Sequence, residues 1–454
     1  MKRYIVLMTA FLLTTVAAMP QQKVYSLPEC RQMALQNNVK MRDAKLAIEQ
    51  AKEQKKEAYT KYFPTVSASG TYFKSVDDLI KKDISLTNDQ QTQIAQIMQQ
   101  MGLNPSVLSS LPTTFSISSL NHGIMANVMA MQPIYAGGQI TNGNKLAQLQ
   151  TEVRELQLNQ NRDEILNTTE QYYNSLLTLY EKRHTLDVVD RQLTRIHDDA
   201  ENAYKVGVTN KNDVLSVELK QNEIATSRLK LENGISVCKL VLAQYIGVYG
   251  TDFEIDTTLV GNLPNPATYL VDHNAALDGR TEAQLLDKNV EASKLQRKLA
   301  QGAQLPTVAV GAAGKYHDLT GKSRLNALGL VNVSVPISDI WTGSHKVKQK
   351  EIAERMAVQD REDNRQLLLI QMQSDYDNLT NAYAQILLAR KSMEKSAENL
   401  RLNEDYYHAG TATMSDLLEA QTRDQQSRDQ YTDAVAQYLN CRTAYLLATN
   451  RSIE

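Results

Sequence analysis

The feature that most constrains this 454-residue chain is an internal duplication. The segment NNVKMRDAKLAIEQAKEQKKEAYTKYFPTVSASG, from Asn37, aligns without a gap on GRTEAQLLDKNVEASKLQRKLAQGAQLPTVAVGA, from Gly279. The spacing is 242, so Pro64 meets Pro306. Further on, AYKVGVTNKNDVLSVE from Ala203 aligns on YYHAGTATMSDLLEAQ from Tyr406 at a spacing of 203. That brings Gly207 onto Gly410 and Asp213 onto Asp416, and the same spacing relates Pro133 to Pro336 and Cys238 to Cys441. The fall from 242 to 203 puts 39 extra residues between Pro64 and Pro133 of the first copy. A fixed offset over such lengths means one structural unit used twice. The copies span residues 19–250 and 276–454, with 251–275, holding Pro264 and Pro266, as the join.

Each copy reads in the same order. A helix comes first, Ala44–Lys61 and then Thr281–Gln301. Strands follow the proline at 65–73 and 307–316, with second strands at 123–132 and 327–335. In the last of these Ala327, Gly329, Val331, Val333 and Val335 alternate with Asn332 and Ser334, the period of a half-buried strand. Two stretches then lack both Pro and Gly: Asn144–Lys205 and His345–Ala409. Helices of that length reach roughly 90–100 Å. Leu186, Val189, Leu193, Ile196, Ala200 and Ala203 recur at coiled-coil spacing. So do Tyr376, Leu379, Tyr383, Ile386, Met393, Ala397 and Leu400, with Arg390 breaking the row. Glycine-bearing turns at 206–213 and 409–416 lead into returning helices over Asp213–Tyr249 and Asp416–Thr449. The fold class is therefore mainly α with a small β part: a tandem repeat of long coiled-coil hairpins, each with two strands.

The N-terminus carries an address. Lys2 and Arg3 precede an apolar run, Tyr4–Val16, and Val16-Ala17-Ala18 offers small residues for cleavage, so residues 1–18 read as a signal peptide. No later stretch is apolar enough for a membrane-spanning helix. A formal charge of −2 gives no footprint for nucleic acid. Three cysteines, Cys30, Cys238 and Cys441, do not make a disulfide framework; the last two fall on apolar helix faces as small core residues.

Four strands cannot close a barrel, and an open sheet edge is prohibitive in lipid. The sheet must be completed by other copies, two giving 8 strands or three giving 12. Here the motifs become specific. Tyr62-Phe63-Pro64, Gln132-Pro133-Ile134-Tyr135-Ala136-Gly137-Gly138, and Val206-Gly207-Val208-Thr209 with Asp213-Val214-Leu215 occur in this order. The second copy has Leu305-Pro306, Val335-Pro336-Ile337, and Ala409-Gly410-Thr411 with Asp416-Leu417-Leu418. This ordered, duplicated set resembles the TolC-type outer membrane efflux protein family over nearly the whole mature chain.

The resemblance implies a homotrimer with a 12-strand β-barrel in the outer membrane lipid and an α-helical tunnel into the periplasm. Substrates would leave passively after delivery by a periplasmic adaptor and an inner-membrane pump, for efflux or a type I-like secretion. It implies adaptor docking at Val206, Gly207, Val208, Thr209, Ala409, Gly410 and Thr411. The glycines have an independent role in ending helices. It implies a constriction from Asp416 and Glu419, three residues apart and able to share one lumen, whose crowded carboxylates would have raised pKa values. Asp213, assigned to the same constriction, either holds its turn closed or caps its helix, and capping is favoured. Tyr407 matches the family's tip gate. Some members carry Arg two residues after the second-copy glycine as a lock; Ala412 stands there instead.

The insertion, 74–115, is expected to hold a helix over Asp89–Met101, capped by Thr87 or Asn88, with Ile94, Ile97, Met98 and Met101 on one face. It could cover the barrel mouth, pack against neighbours or bind an outer partner, and packing is favoured. Met125, Met129 and Met131 raise soft-metal handling, but ordinary packing is favoured. There is no phosphate loop, and the histidines lack ligand spacing, so neither enzyme activity nor a cofactor or metal is expected. Rival readings are a surface coiled-coil adhesin or structural stalk, and a soluble periplasmic adaptor. Neither needs duplicated strand pairs.

Overall fold

The computed structural model describes residues 23–77, 79–106, 114–119, 121–258, 263–319 and 323–453. The signal peptide expected at 1–18 lies outside them, as do parts of the insertion and of the join. The chain forms two compact units, each drawn from both sequence copies.

One unit comprises Gln54–Ala147 and Lys294–Ala353. Its centre is a four-stranded antiparallel sheet of β2 (Thr65–Lys74), β5 (His122–Ala136), β7 (Thr307–Asp318) and β8 (Ser323–Ser334), in that spatial order. The central pair joins the copies, with Met125 opposite His317 and Gln132 opposite Val310. The edges, β2 and β8, are exposed along nearly their whole length. Val66, Leu325, Val331 and Val333 are all more than half exposed, so this apolar sheet surface has no cover among the described residues.

β5 runs past the expected end at Gln132 because the ladder absorbs Pro133. Pro133 pairs with Ala309, and the register then shifts before Tyr135. A bulge accommodates the missing N–H. In the second copy the edge strand stops at Ser334, two residues before Pro336. Gly137 and Gly302 meet backbone to backbone, and a Cβ on Gly137 would lie 2.1 Å from the Gly302 carbonyl oxygen.

The insertion contributes its own two-stranded antiparallel pair, β3 (Ile80–Ser85) with β4 (Thr114–Ser119), flanking helix α3 (Asn88–Gln100). The Thr87 N–H donates to Gln90 Oε1 at 3.1 Å, as an N-terminal cap requires. Gly102 ends the helix at φ +75°. The β3–β4 pair was not anticipated.

The other unit runs through Glu53, from Gln148 to Ser293, and from Glu354 onward. Its helices are α1 (Leu27–Asn37), α2 (Val39–Thr60), α4 (Gln139–Lys205), α5 (Lys211–Ile246), α6 (His273–Leu277), α7 (Thr281–Gly302), α8 (Asp339–His408) and α9 (Met414–Ala448), some shared with the first unit. α4 has 67 residues and α8 has 70. Both begin earlier than expected, because Gly143 and Gly343 are tolerated as their fifth residues.

The duplication is visible in the packing. Leu176 and its equivalent Leu379 are both fully buried, as are Leu242 and Tyr445. The first-copy core gathers Ile165, Tyr173, Leu176, Ile235, Leu242 and Ile246; the second gathers Leu379, Ala382, Ile386, Tyr438 and Tyr445. Part of the join packs into the first-copy core. β6 (Phe253–Ile255) pairs in parallel with β1 (Lys23–Tyr25), and Phe253 and Ile255 are buried in the first-copy core. Tyr173 donates to the Asp256 carbonyl at 2.7 Å, and Lys239 pairs with Glu254 at 2.9 Å. The copies have also diverged. Glu170, 1 % exposed, holds Arg31 at 2.6 Å and lies 3.7 Å from Arg442, whereas the second copy has Gln373 at the equivalent place.

All three cysteines are free. Burial pushes the Cys30 thiol up to about 12 and raises those of Cys238 and Cys441.

Candidate functional site

Both tip turns have the same atomic construction. At the end of α4 the Val208 N–H donates to the Ala203 carbonyl at 2.9 Å and the Gly207 N–H to that of Tyr204 at 3.0 Å. At the end of α8 Thr411 donates to Tyr406 and Gly410 to Tyr407, each at 2.9 Å. Gly207 has φ +79° and Gly410 φ +71°, the left-handed geometry that closes such a C-cap. The motif read from one glycine per copy is thus the same Schellman turn made twice.

The returning helices are capped differently. Asn210, not Asp213, is the N-cap of α5, its Oδ1 accepting from the Asp213 N–H at 3.2 Å. Asp213 sits three residues in and accepts a hydrogen bond from the Thr209 hydroxyl, which holds the turn closed. The favoured capping role for Asp213 is corrected accordingly, because Asn210 supplies a side-chain acceptor at the true cap position.

In the second copy Thr413 is the N-cap and Asp416 completes a capping box. The Asp416 carboxylate accepts from the Thr413 N–H at 2.9 Å and the Thr413 hydroxyl at 2.6 Å. These bonds hold its carboxyl below the usual carboxylate range. Within one chain the shift runs opposite to the raised value expected of a crowded ring. Glu419 is also engaged, accepting from Arg423 at 2.5 Å one turn on.

The two tips share one core. Leu193, Ile196, Ala200, Val214 and Val217 from the first hairpin pack with Leu400, Met414, Leu417 and Ala420 from the second. Tyr407 packs half-buried against this cluster; burial, then Asp213 and Asp199, raise its phenol. Tyr407 and Asp213, equivalent to no common position in the repeat, are therefore brought together. Val206 and Val208 point the other way, 76 % and 80 % exposed, beside exposed Ala409, Gly410 and Thr411. Thr209 is half-buried because its hydroxyl turns inward to Asp213.

A polar cavity of about 320 Å³ lies between α4 and α8 just behind the turns, lined by Gln192, Arg195, Asp199, Glu404, Tyr407 and His408. Sequence reasoning passed over it. The signal was present: Ala397, Leu400, Glu404 and Tyr407 continue the coiled-coil spacing, so a carboxylate occupies a seam position.

With that geometry established, the chain can be set beside known proteins. The family model described as outer membrane efflux protein matches residues 30–235 and 274–450, one match for each copy. The chain belongs to the outer membrane efflux protein family. Membership places it in the outer membrane as a transport protein. Solved structures share its fold. The outer membrane protein VceC of Vibrio cholerae superposes with a TM-score of 0.70 at 14 % identity, covering 94 % of this chain and 97 % of its own. The CmeC outer membrane channel of Campylobacter jejuni gives 0.73 at 13 % identity, over 93 % and 85 %. The MtrE outer membrane channel of Neisseria gonorrhoeae gives 0.67 at 14 %, over 94 % and 89 %. No curated protein sequence matches the chain.

Among the described residues no helix is long and apolar enough to cross a membrane, and no side-chain cluster of metal-ligand type occurs.

Proposed function

We propose that three copies of this chain form a passive export duct in the outer membrane. Each contributes the four-stranded sheet to a 12-strand barrel, and the hairpins of the three chains form a helical tunnel into the periplasm. The observation that carries the reading is the sheet itself. Among the described residues the outer edges of the 10-residue β2 and the 12-residue β8 have no strand beside them, and the face bearing Val66, Leu325, Val331 and Val333 is apolar and exposed. In lipid every such backbone group needs a partner, which only other copies supply.

The tip is the proposed meeting point with a periplasmic adaptor, itself joined to an inner-membrane pump. Val206 and Val208 project the apolar side chains an adaptor helix end would bury, with Gly207, Thr209, Ala409, Gly410 and Thr411 shaping the two turns around them. Asp416 and Glu419 are proposed to form the constriction with Asp213, and Tyr407 the gate that packs it shut. Energy for transport comes from the pump, as the chain offers only a path.

The test is assembly and conductance. The purified protein is expected to run as a heat-modifiable trimer and to conduct ions in planar bilayers. A soluble monomer, or a trimer that conducts under no condition, overturns the reading.

A further inference from the structure

The four-stranded sheet has two unlike faces. Residues opposite one another across a ladder share a face, and so do residues two apart along a strand. One face carries Val66, Val128, Val310, Leu325, Val331 and Val333, with Tyr72 and Tyr316 toward one end. Its only charges, Lys74 and Asp318, stand at strand ends. Val128 there is 52 % exposed. This is the face that the duct reading turns to lipid. The opposite face has hydroxyls on β2, at Thr65, Ser67, Ser69 and Thr71. On β5 it has Met125, Asn127, Met129 and Met131, all half-buried. In a closed barrel that face lines the lumen.

The lumen-side residues fall into rows across the strands. Two rows toward the helices are soft and apolar: Ser67, Met129, Ala313 and Leu328, then Thr65, Met131, Gly311 and Leu330. The Met131 sulfur fills the space above Gly311, so methionine packs within the sheet here. Two rows toward the far end are polar: Ser69, Asn127, Lys315 and Asn326, then Thr71, Met125, His317 and Arg324. Lys315 and Arg324 are exposed and one diagonal apart, roughly 7 Å. They are the only charged residues that these strands place on this face, and no carboxylate accompanies them. Among the described residues neither makes an ion pair. Asn127 and Asn326 flank Lys315 on its two sides, and the buried His317 Nδ1 has no partner. The charge of the face is thus of one sign and gathered at one end.

We propose that Lys315 and Arg324 form an anion-binding belt in the barrel lumen, which receives the carboxylate or phosphate groups of solutes on their way out. Each chain supplies two cations, so three copies bring six to one ring. Fixed charges of one sign on a low-dielectric wall focus the field and concentrate counter-ions. Rings of Lys and Arg select anions in this way. The Arg324 fork can take two oxygens at once, and the Asn127 and Asn326 amides can donate to the same group. The Met and Leu rows offer an anion nothing, which confines the site to the far end of the sheet. Its sign is opposite to that of the constriction proposed at Asp416 and Glu419.

The belt rests on the duct reading, since only a closed barrel makes this face a lumen wall. Inorganic triphosphate is the probe, added to single pores of the full-length trimer in phosphatidylcholine bilayers, whose headgroups carry no net charge. From the barrel side it should reduce the current in a voltage-dependent manner, because it meets the belt without crossing the acidic constriction. The half-blocking concentration should rise severalfold in Lys315→Gln and in Arg324→Gln, further in the double variant, and return toward wild type in Lys315→Arg. Heat-modifiable mobility checks the assembly of each; if the double variant does not assemble, the single ones decide. Triphosphate binding to the detergent-solubilised trimer is measured by calorimetry on the same samples. Pores that conduct without block, or with equal block in wild type and the glutamine variants, overturn the belt alone. A trimer that never conducts, yet binds triphosphate in a manner lost in Lys315→Gln, overturns the duct and leaves the anion site standing. One that neither conducts nor binds overturns both.

Discussion

At the scale of single residues, the tip is held by a few backbone and cap bonds whose loss can be read locally. A Cβ on Gly207 or Gly410 would meet nothing within 4 Å, so substitution is opposed by backbone geometry alone. Gly207→Ala and Gly410→Ala are each expected to cost about 1–2 kcal/mol of local stability, seen as faster amide exchange at Val208 and Thr411. Asp416 makes the second-copy cap depend on pH. Its carboxyl is held low by Thr413, so the cap is intact above the usual aspartate range and is lost as pH falls through the lowered value. Exchange in the first turn of α9 should therefore rise only at strongly acidic pH, and Thr413→Ala should abolish the step. Replacing both Asp416 and Glu419 by Ala is expected to lower cation selectivity; unchanged selectivity removes the proposed constriction and leaves the fold standing. The glycines and Asp416 were legible because the repeat points to them twice. Asn210 was not, because the second copy has Thr413 there and the aligned aspartates drew attention three residues along. Arg423 beside Glu419 was also passed over, although its four-residue spacing is the ordinary signature of a helix ion pair.

At the scale of elements, long periodic segments read well and special backbone did not. The buried row Leu186, Val189, Leu193, Ile196 and Ala200 is the one the spacing gives. Strand β5 outran its expected end because a proline at a bulge carries no period-two signal. The β3–β4 pair escaped notice because Thr114–Ser119 offers only Phe115 and Ile117 as an apolar face, and its partner Ile80–Ser85 does not alternate. This pair and α3 hang from a closed ladder: Lys74 pairs with His122, and the Ser75 N–H donates to the Asn121 carbonyl at 2.6 Å. Replacing residues 76–120 with a short turn is thus expected to leave assembly and conductance intact, checked by heat-modifiable mobility and bilayer recording; loss of the trimer would assign the insertion a part in assembly. The helical unit has a different weak point. Glu170 is buried between Arg31 and Arg442, and its removal strands two guanidinium groups. Glu170→Ala is expected to cost about 3–5 kcal/mol, measured as a shifted denaturant midpoint at unchanged slope.

At the scale of the whole molecule, the duplication followed from constant offsets, the α-rich fold from long stretches free of Pro and Gly, and the family from the ordered motifs, whereas the divergence between copies could be read only from packing. Arg31 aligns with His273, and the two make unlike contacts, one with Glu170 and the other with the Tyr445 hydroxyl at 3.0 Å. Under the duct reading the chain folds fully only with its partners, because its sheet edges are satisfied by other copies and its apolar face by lipid. The unfolding midpoint is expected to rise with protein concentration, as it does where assembly and folding are one step; an invariant midpoint would mean a self-sufficient monomer. The central β5–β7 pair has a consequence of its own. Its ladder joins the two copies by hydrogen bonds, and the single chain joins them covalently. A ring assembled from separate single units would be uniform, and any change in one member would be imposed on all. Fusion in tandem makes neighbours alternate by construction, so every second unit can specialise while the one between keeps the ancestral job. Glu404 lines the cavity behind its turn, whereas its first-copy equivalent, half-buried Glu201, pairs with Lys205 at 2.9 Å, which is what such a division of labour looks like in side chains.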